Sequence, residues 1–114
     1  MKIAILEDEE DFGKNLKKHF EHNNYEAYLL FDLPNKIFER LNEVVEFSPD
    51  KITIDGLGGL CIEIHEKLAK ELPKAKIVIY SSNDEVRDKA KEKGYVFFDK
   101  SYTERDKFFE YMRQ

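Results

Sequence analysis

Several residue types that define other classes of protein are scarce in this chain. Of 114 residues one is cysteine, Cys61, none is tryptophan, and the single glutamine is Gln114. A lone cysteine excludes an internal disulfide and fits a reducing, cytoplasmic setting. No apolar run approaches the roughly 20 residues that span a bilayer, and the opening MKIAILEDEE lacks the order of a signal peptide, so no membrane association is expected. There is no local cluster of Lys or Arg, and the net charge is −5, which argues against direct nucleic-acid binding. Internal repeats, linkers and low-complexity stretches are absent as well. What remains is 41% hydrophobic and 38% charged, the balance of a globular chain with a heavily charged exterior. The length suits one domain over residues 1–114, enough for a real core.

Apolar and polar residues alternate between two periods along the chain. Lys2 to Leu6 reads as a strand apolar on both faces, and the acidic run Glu7 to Asp11 leads into a helix reaching about His22. Its inward stripe is Phe12, Leu16 and Phe20, and Asn23-Asn24 stops it. Tyr25 to Phe31 is a second strand. One helix follows from Pro34, turning Ile37, Leu41, Val44 and Val45 inward. Lys51 to Ile54 is the third strand. A helix burying Leu60, Ile64 and Leu68 ends before Pro73. Ile77 to Tyr80 is the fourth strand, and Asn83 or Asp84 caps a short polar helix that ends at Gly94. Tyr95 to Phe98 is the fifth strand, and Thr103 opens a last helix carrying Phe108, Phe109 and Met112. Five strands alternating with five helices predict an α/β fold: a doubly wound, flavodoxin-like (βα)5 sandwich around a parallel sheet of order 2-1-3-4-5.

That order lays the carboxyl end of every strand along one edge of the sheet. Strand one delivers Glu7 and Asp8, strand three Asp55, strand four Ser81, and strand five leads into Lys100. Strands one and three flank the point where the strand order reverses, the usual ligand crevice of such sheets. Each residue also has an ordinary use. Asp55-Gly56 suits a turn, Glu7 to Asp11 suits a helix N-terminus, Ser81 and Ser82 suit caps, and Lys100 suits a surface. Their joint placement at four strand ends carries the argument. Three neighbouring carboxylates either push one towards protonation or recruit a cation, and an all-oxygen set suits a hard ion such as Mg²⁺ or Mn²⁺. Cation, ammonium, hydroxyl and a free carboxylate together describe phosphoryl transfer to an aspartate.

At these residues the chain resembles, over its whole length, the CheY-like receiver domains of two-component response regulators. ILEDEE is similar to the family's first strand with its acidic pair, implying Asp8 as a direct metal ligand and Glu7 as its helper. Asp55 matches the phosphoacceptor. KIVIYSSND resembles the fourth strand, which places the switch hydroxyl on Ser81. YVFFDKSY resembles the fifth, which places the aromatic switch on Phe97 and the lysine on Lys100. The resemblance also implies the backbone carbonyl of Leu57 as a metal ligand. It implies a histidine kinase or small phosphodonor as phosphoryl source, and a protein partner or second copy on the face of the last two helices and fifth strand. On that reading the chain is a cytoplasmic signalling switch, not an enzyme beyond transfer to, and hydrolysis from, its own aspartate.

Two departures stand out. DGLGGL reaches the third helix about four residues sooner than the family pattern, and Ser101 stands where a proline usually follows the lysine, which makes a cis bond there improbable. Three glycines, Gly56, Gly58 and Gly59, are expected to free the backbone for this abrupt turn. The shortened loop also admits an alternative, a pseudo-receiver that binds partners without being phosphorylated. Among the remaining residues, His19 and His22 read as surface or boundary positions, His65 as solvated, and Cys61 as a small hydrophobe.

Overall fold

The computed structural model describes residues Met1–Gln114. Five strands form one parallel sheet: β1 (Lys2–Glu7), β2 (Glu26–Phe31), β3 (Lys51–Ile54), β4 (Lys76–Ser81) and β5 (Val96–Asp99). Their order is β2-β1-β3-β4-β5, as expected from the alternation of elements. Six helices connect and cover them: α1 (Glu10–His22), α2 (Pro34–Glu39), α3 (Leu41–Phe47), α4 (Cys61–Glu71), α5 (Asp84–Glu92) and α6 (Tyr102–Arg113). A 3-10 turn over Leu57–Gly59 joins β3 to α4. No helix is long and apolar enough to cross a membrane.

The two-residue period of a strand divides the core into two layers. Ala4, Leu6, Ile52, Ile54, Ile77 and Ile79 face the larger layer, with Leu30, Ile37, Leu41, Val44, Leu57, Ile64 and Leu68 packed above them. Ile3, Ile5, Val78 and Tyr80 face the other, filled by Leu16 and Phe20 of α1 and Phe108, Phe109 and Met112 of α6. Tyr80 and Phe108 stack in parallel there, ring centroids 3.8 Å apart. Each such side chain removed from water contributes about 1.5–3 kcal/mol, which makes β1, β3 and β4, buried on both faces, the rigid spine.

Local signals set most ends. Asn24 is left-handed at φ 68°, Gly94 at φ 75°, and Asn83 rather than Asp84 is the cap of α5, its Oδ1 accepting from the Val86 N–H at 3.0 Å. Strand boundaries fall within a residue of expectation, and Tyr102 rather than Thr103 opens α6.

Four expectations are corrected. The single helix from Pro34 is two, broken at Arg40 (φ −110°, ψ 17°) without the proline or glycine that usually marks a kink. The Arg40 guanidinium holds the break, meeting Asp32 at 2.9 Å and Glu43 at 2.6 Å, while Tyr28 donates to Glu43 at 2.5 Å. Ile37, Leu41 and Val44 are buried on both sides of it, so the apolar spacing concealed the bend. His65 is buried, not solvated, stacked on Tyr95 with centroids 3.7 Å apart. Leu60 is only half-buried, because it precedes α4 and the burial passes to Cys61, Ile62 and Ile64. Gly56 has an ordinary φ of −58°, so its role is not conformational freedom. His19 is half-buried and His22 exposed, as boundary and surface positions should be.

Candidate functional site

The register of the sheet assembles the site. Leu6 lies beside Ile54, Ile54 beside Ile79, and Ser81 beside Asp99, so the residues that follow reach one edge together. Two backbone bonds extend the ladder past the strands. The Asp55 N–H donates to the Leu6 carbonyl at 2.9 Å, and the Lys100 N–H to the Ser81 carbonyl at 3.2 Å. Glu7, Asp8 and Asp55 thereby offer carboxylate oxygens that lie within 4.8 Å of one another. Lys100 Nζ donates to Asp55 Oδ1 at 2.5 Å and to Glu7 Oε2 at 3.1 Å, and it sits 4.0 Å from the centre of the Phe12 ring.

Glu7 is 2% exposed. Its Oε1 accepts the backbone N–H groups of Asp8 and Glu9, at 3.2 and 3.1 Å, and so shapes the turn that aims Asp8 at the crevice. Burial, then the negative charge of Asp55, push its carboxyl up to about 7 despite the opposing pull of Lys100. Burial also raises Asp8, with Asp55 acting in the same direction. For Lys100 burial acts downwards, but Asp55 and Glu7 outweigh it and its ammonium is held above the ordinary range. One ammonium among three carboxylates leaves the cluster with surplus negative charge. The donor set is all oxygen, which fits a hard divalent cation. Cys61, just beyond the loop, has its thiol pushed up to about 11 by burial first and Asp55 second, and is inert.

The path of the loop after Asp55 has a steric requirement as well as a conformational one. A Cβ at Gly56 would lie 2.6 Å from Ser81 Oγ, so only glycine lets the chain pass under that hydroxyl. Leu57 then turns left-handed at φ 50°, a conformation costly for a leucine, with its side chain 1% exposed in the larger core layer. Burial of that side chain offsets the strain. The Leu57 N–H donates to Asp55 Oδ2 at 3.2 Å, and its carbonyl accepts from the Leu60 N–H at 3.1 Å. Gly58 and Gly59 complete the turn at φ 62° and 96°.

Ser81 is buried, and its Oγ accepts the Asn83 N–H at 3.1 Å. Phe97, beside Ile79 in the register, is half-buried against the larger core layer. Every side chain singled out from the sequence except Phe97 thus lies at the carboxyl edge. Reading the sequence missed one participant, Phe12, and gave another, Gly56, the wrong reason. Phe12 was expected to be core, yet its ring is half-buried beneath the Lys100 ammonium. Its position one turn into the helix that follows the acidic pair was the available signal. The steric role of Gly56 carried no local signal, because the atom it makes room for is 25 residues away in sequence.

No sequence model of a protein family matches the chain, and no curated protein sequence does. Solved structures do match in shape. The signal receiver domain of a DNA-binding response regulator from Colwellia psychrerythraea superposes with a TM-score of 0.76 at 15% identity, over 98% of this chain and 97% of that one. The response regulator TrrA of Thermotoga maritima, solved with Mg²⁺ and BeF, superposes with a TM-score of 0.72 at 17% identity, over 98% and 96%. NtrX of Brucella abortus, solved with ADP, gives 0.71 at 22% identity; 98% of this chain matches, and it spans a quarter of that protein's length. At these identities the likeness is one of fold: the chain has the fold of a CheY-like receiver domain.

Proposed function

We propose that this chain is a phosphoacceptor switch of a two-component phosphorelay, with residues 1–114 acting as one receiver unit. The observation that carries the reading is the convergence of Glu7, Asp8 and Asp55, with carboxylate oxygens within 4.8 Å of one another, around a Lys100 that pairs with Glu7 and Asp55. The receiver fold supports it, as does the Mg²⁺–BeF bound by the Thermotoga protein of like shape.

On this reading an Asp55 carboxylate oxygen attacks the phosphorus of a phosphohistidine or small acyl phosphate. A P–O bond to Asp55 forms while the bond to the donor breaks, and the donor's imidazole or carboxylate departs with the bonding electron pair. Asp8 and Asp55, assisted by Glu7, would hold Mg²⁺ or Mn²⁺, which supplies charge neutralisation at the phosphoryl oxygens when bound. The Leu57 carbonyl has a second lone pair beyond the one given to Leu60, so it can still join that set. Lys100 would leave its ion pair with Asp55 for a phosphoryl oxygen, and Ser81 would donate its hydroxyl to another. Movement of Ser81 frees space next to β4, into which Phe97 rotates, carrying the change to the surface of α5, β5 and α6. There a downstream protein, or a second copy of the chain, reads it. The cognate donor is a histidine kinase, the setting is cytoplasmic, and the chain turns over no substrate other than its own acyl phosphate.

The strained, hydrogen-bonded Leu57 favours one second reading, a pseudo-receiver whose loop suits a fixed interface better than chemistry. One experiment separates them. Acetyl phosphate with Mg²⁺ is expected to add one phosphoryl group by intact mass, labile to base and hydroxylamine, and Asp55→Asn is expected to abolish it. Absence of the mass shift under conditions that modify a control receiver would establish the pseudo-receiver instead.

A further inference from the structure

The break at Arg40 has a consequence on the far side of the molecule from Lys100 and α6. Where α2 and α3 diverge, a groove of about 440 Å³ opens against α4. Its floor is apolar: Leu41 and Leu68 are buried, and Phe38 and Val45 are half-buried. Its rim is acidic. Glu39 is engaged by Lys36 at 3.5 Å, but Glu46 and Glu71, both exposed, have no ion-pair partner. Lys67 stands one turn before Glu71, and its ammonium lies over the Phe38 ring, 5.2 Å from the centroid. Glu46 near the end of α3 and Glu71 at the end of α4 thus both line the groove without an ion-pair partner.

We propose that this groove docks a basic amphipathic helix of a partner protein. Apolar side chains on one helical face would fill the space over Phe38, Val45 and Leu68, and flanking Lys or Arg residues would meet Glu46 and Glu71. Charge complementarity selects this occupant: an acidic segment would be repelled by two unpaired carboxylates, and a neutral one would gain no attraction from them. The groove is separate from the carboxyl edge, so docking does not depend on the chemistry proposed for Asp55.

A synthetic 15-residue helical peptide with leucines on one face and lysines on the other serves as probe, with a glutamate-for-lysine version as control. Titration followed by amide NMR should shift Phe38, Leu41, Val45 and Leu68. The exposed double variant Glu46→Lys/Glu71→Lys should weaken binding at least about tenfold, whereas Glu85→Lys/Glu92→Lys, an equal charge change on α5, should weaken it less than about threefold. Equal loss in the two variants, equal binding of the acidic peptide, or shifts confined to other surfaces would each overturn the proposal.

Discussion

Glu7 and Lys51 occupy opposite ends of two neighbouring parallel strands, each 2% exposed, and the fold treats their charges in opposite ways. At the amino edge Lys51 donates to the Met112 carbonyl near the end of α6, where Tyr25 also donates at 2.6 Å, and its ammonium lies over the Tyr25 ring. Nearby, the Lys2 N–H donates to Asp50 at 2.8 Å, and the Lys2 ammonium to the Phe47 carbonyl at 3.3 Å. The one buried charge there, the Lys51 ammonium, is met by a backbone carbonyl. At the carboxyl edge Glu7 is buried beside two more carboxylates and shares one lysine with Asp55. A fold optimised only for stability would not leave that surplus. One edge meets its buried charge with a backbone carbonyl, and the other leaves carboxylates in excess of ammonium.

Breaking the amino edge should have the largest effect on stability. Lys51→Ala removes a buried aliphatic stem and a donor to α6, and should cost about 2–3 kcal/mol in chemical denaturation. Lys51→Met, which keeps the stem, should cost less than about 1.5 kcal/mol, because burying an ammonium is itself unfavourable. A larger loss for methionine would show that the charge, not the packing, holds α6.

At the carboxyl edge the sign should reverse. Asp8→Asn removes one of three like charges at an exposed position, so in EDTA it should stabilise by only a few tenths of a kcal/mol after solvent screening. Mg²⁺ at about tenfold its dissociation constant should stabilise the parent by about 1.4 kcal/mol through mass action, and the variant should lose most of that gain. Thermal melts with and without Mg²⁺ measure both, and a parent indifferent to Mg²⁺ would refute the cation site.

The smallest effect sharpens the comparison at a third buried titratable group. His65 has no partner for its Nδ1, and burial holds its pKa below the ordinary value. The unfolded chain therefore binds more protons below about pH 6.5, so stability is complete above that pH and falls as pH drops. His65→Phe keeps a ring against Tyr95 and should flatten the decline between about pH 8 and 5 by some tenths of a kcal/mol. An unchanged slope in urea melts would place the acid sensitivity elsewhere.

Much of the candidate site was legible because its side chains follow directly on strand ends. Once Ile3–Leu6, Ile52–Ile54 and Ile77–Tyr80 are read as strands of a parallel sheet, Glu7, Asp55 and Ser81 have to emerge at one edge. The helix break escaped detection because Ile37, Leu41 and Val44 keep helical spacing across it, and Arg40 bends the chain through partners at Asp32 and Glu43. The groove on α4 was hidden with it. His65 was misread because a histidine on a polar helix looks solvated until Tyr95, 30 residues later, covers it.

Periodicity and residue type, which act between near neighbours, determined the strands, their parallel order and the charged residues at their ends. Only the tertiary structure decided what those residues meet. Glycine is required at position 56 because Ser81 occupies the space a Cβ would need. Leu57 is left-handed because burying its side chain outweighs the backbone strain. Lys100 is shared by Asp55 and Glu7 because three strands bring them within reach. Each of these depends on contacts between segments far apart in sequence, and no local preference encodes such contacts.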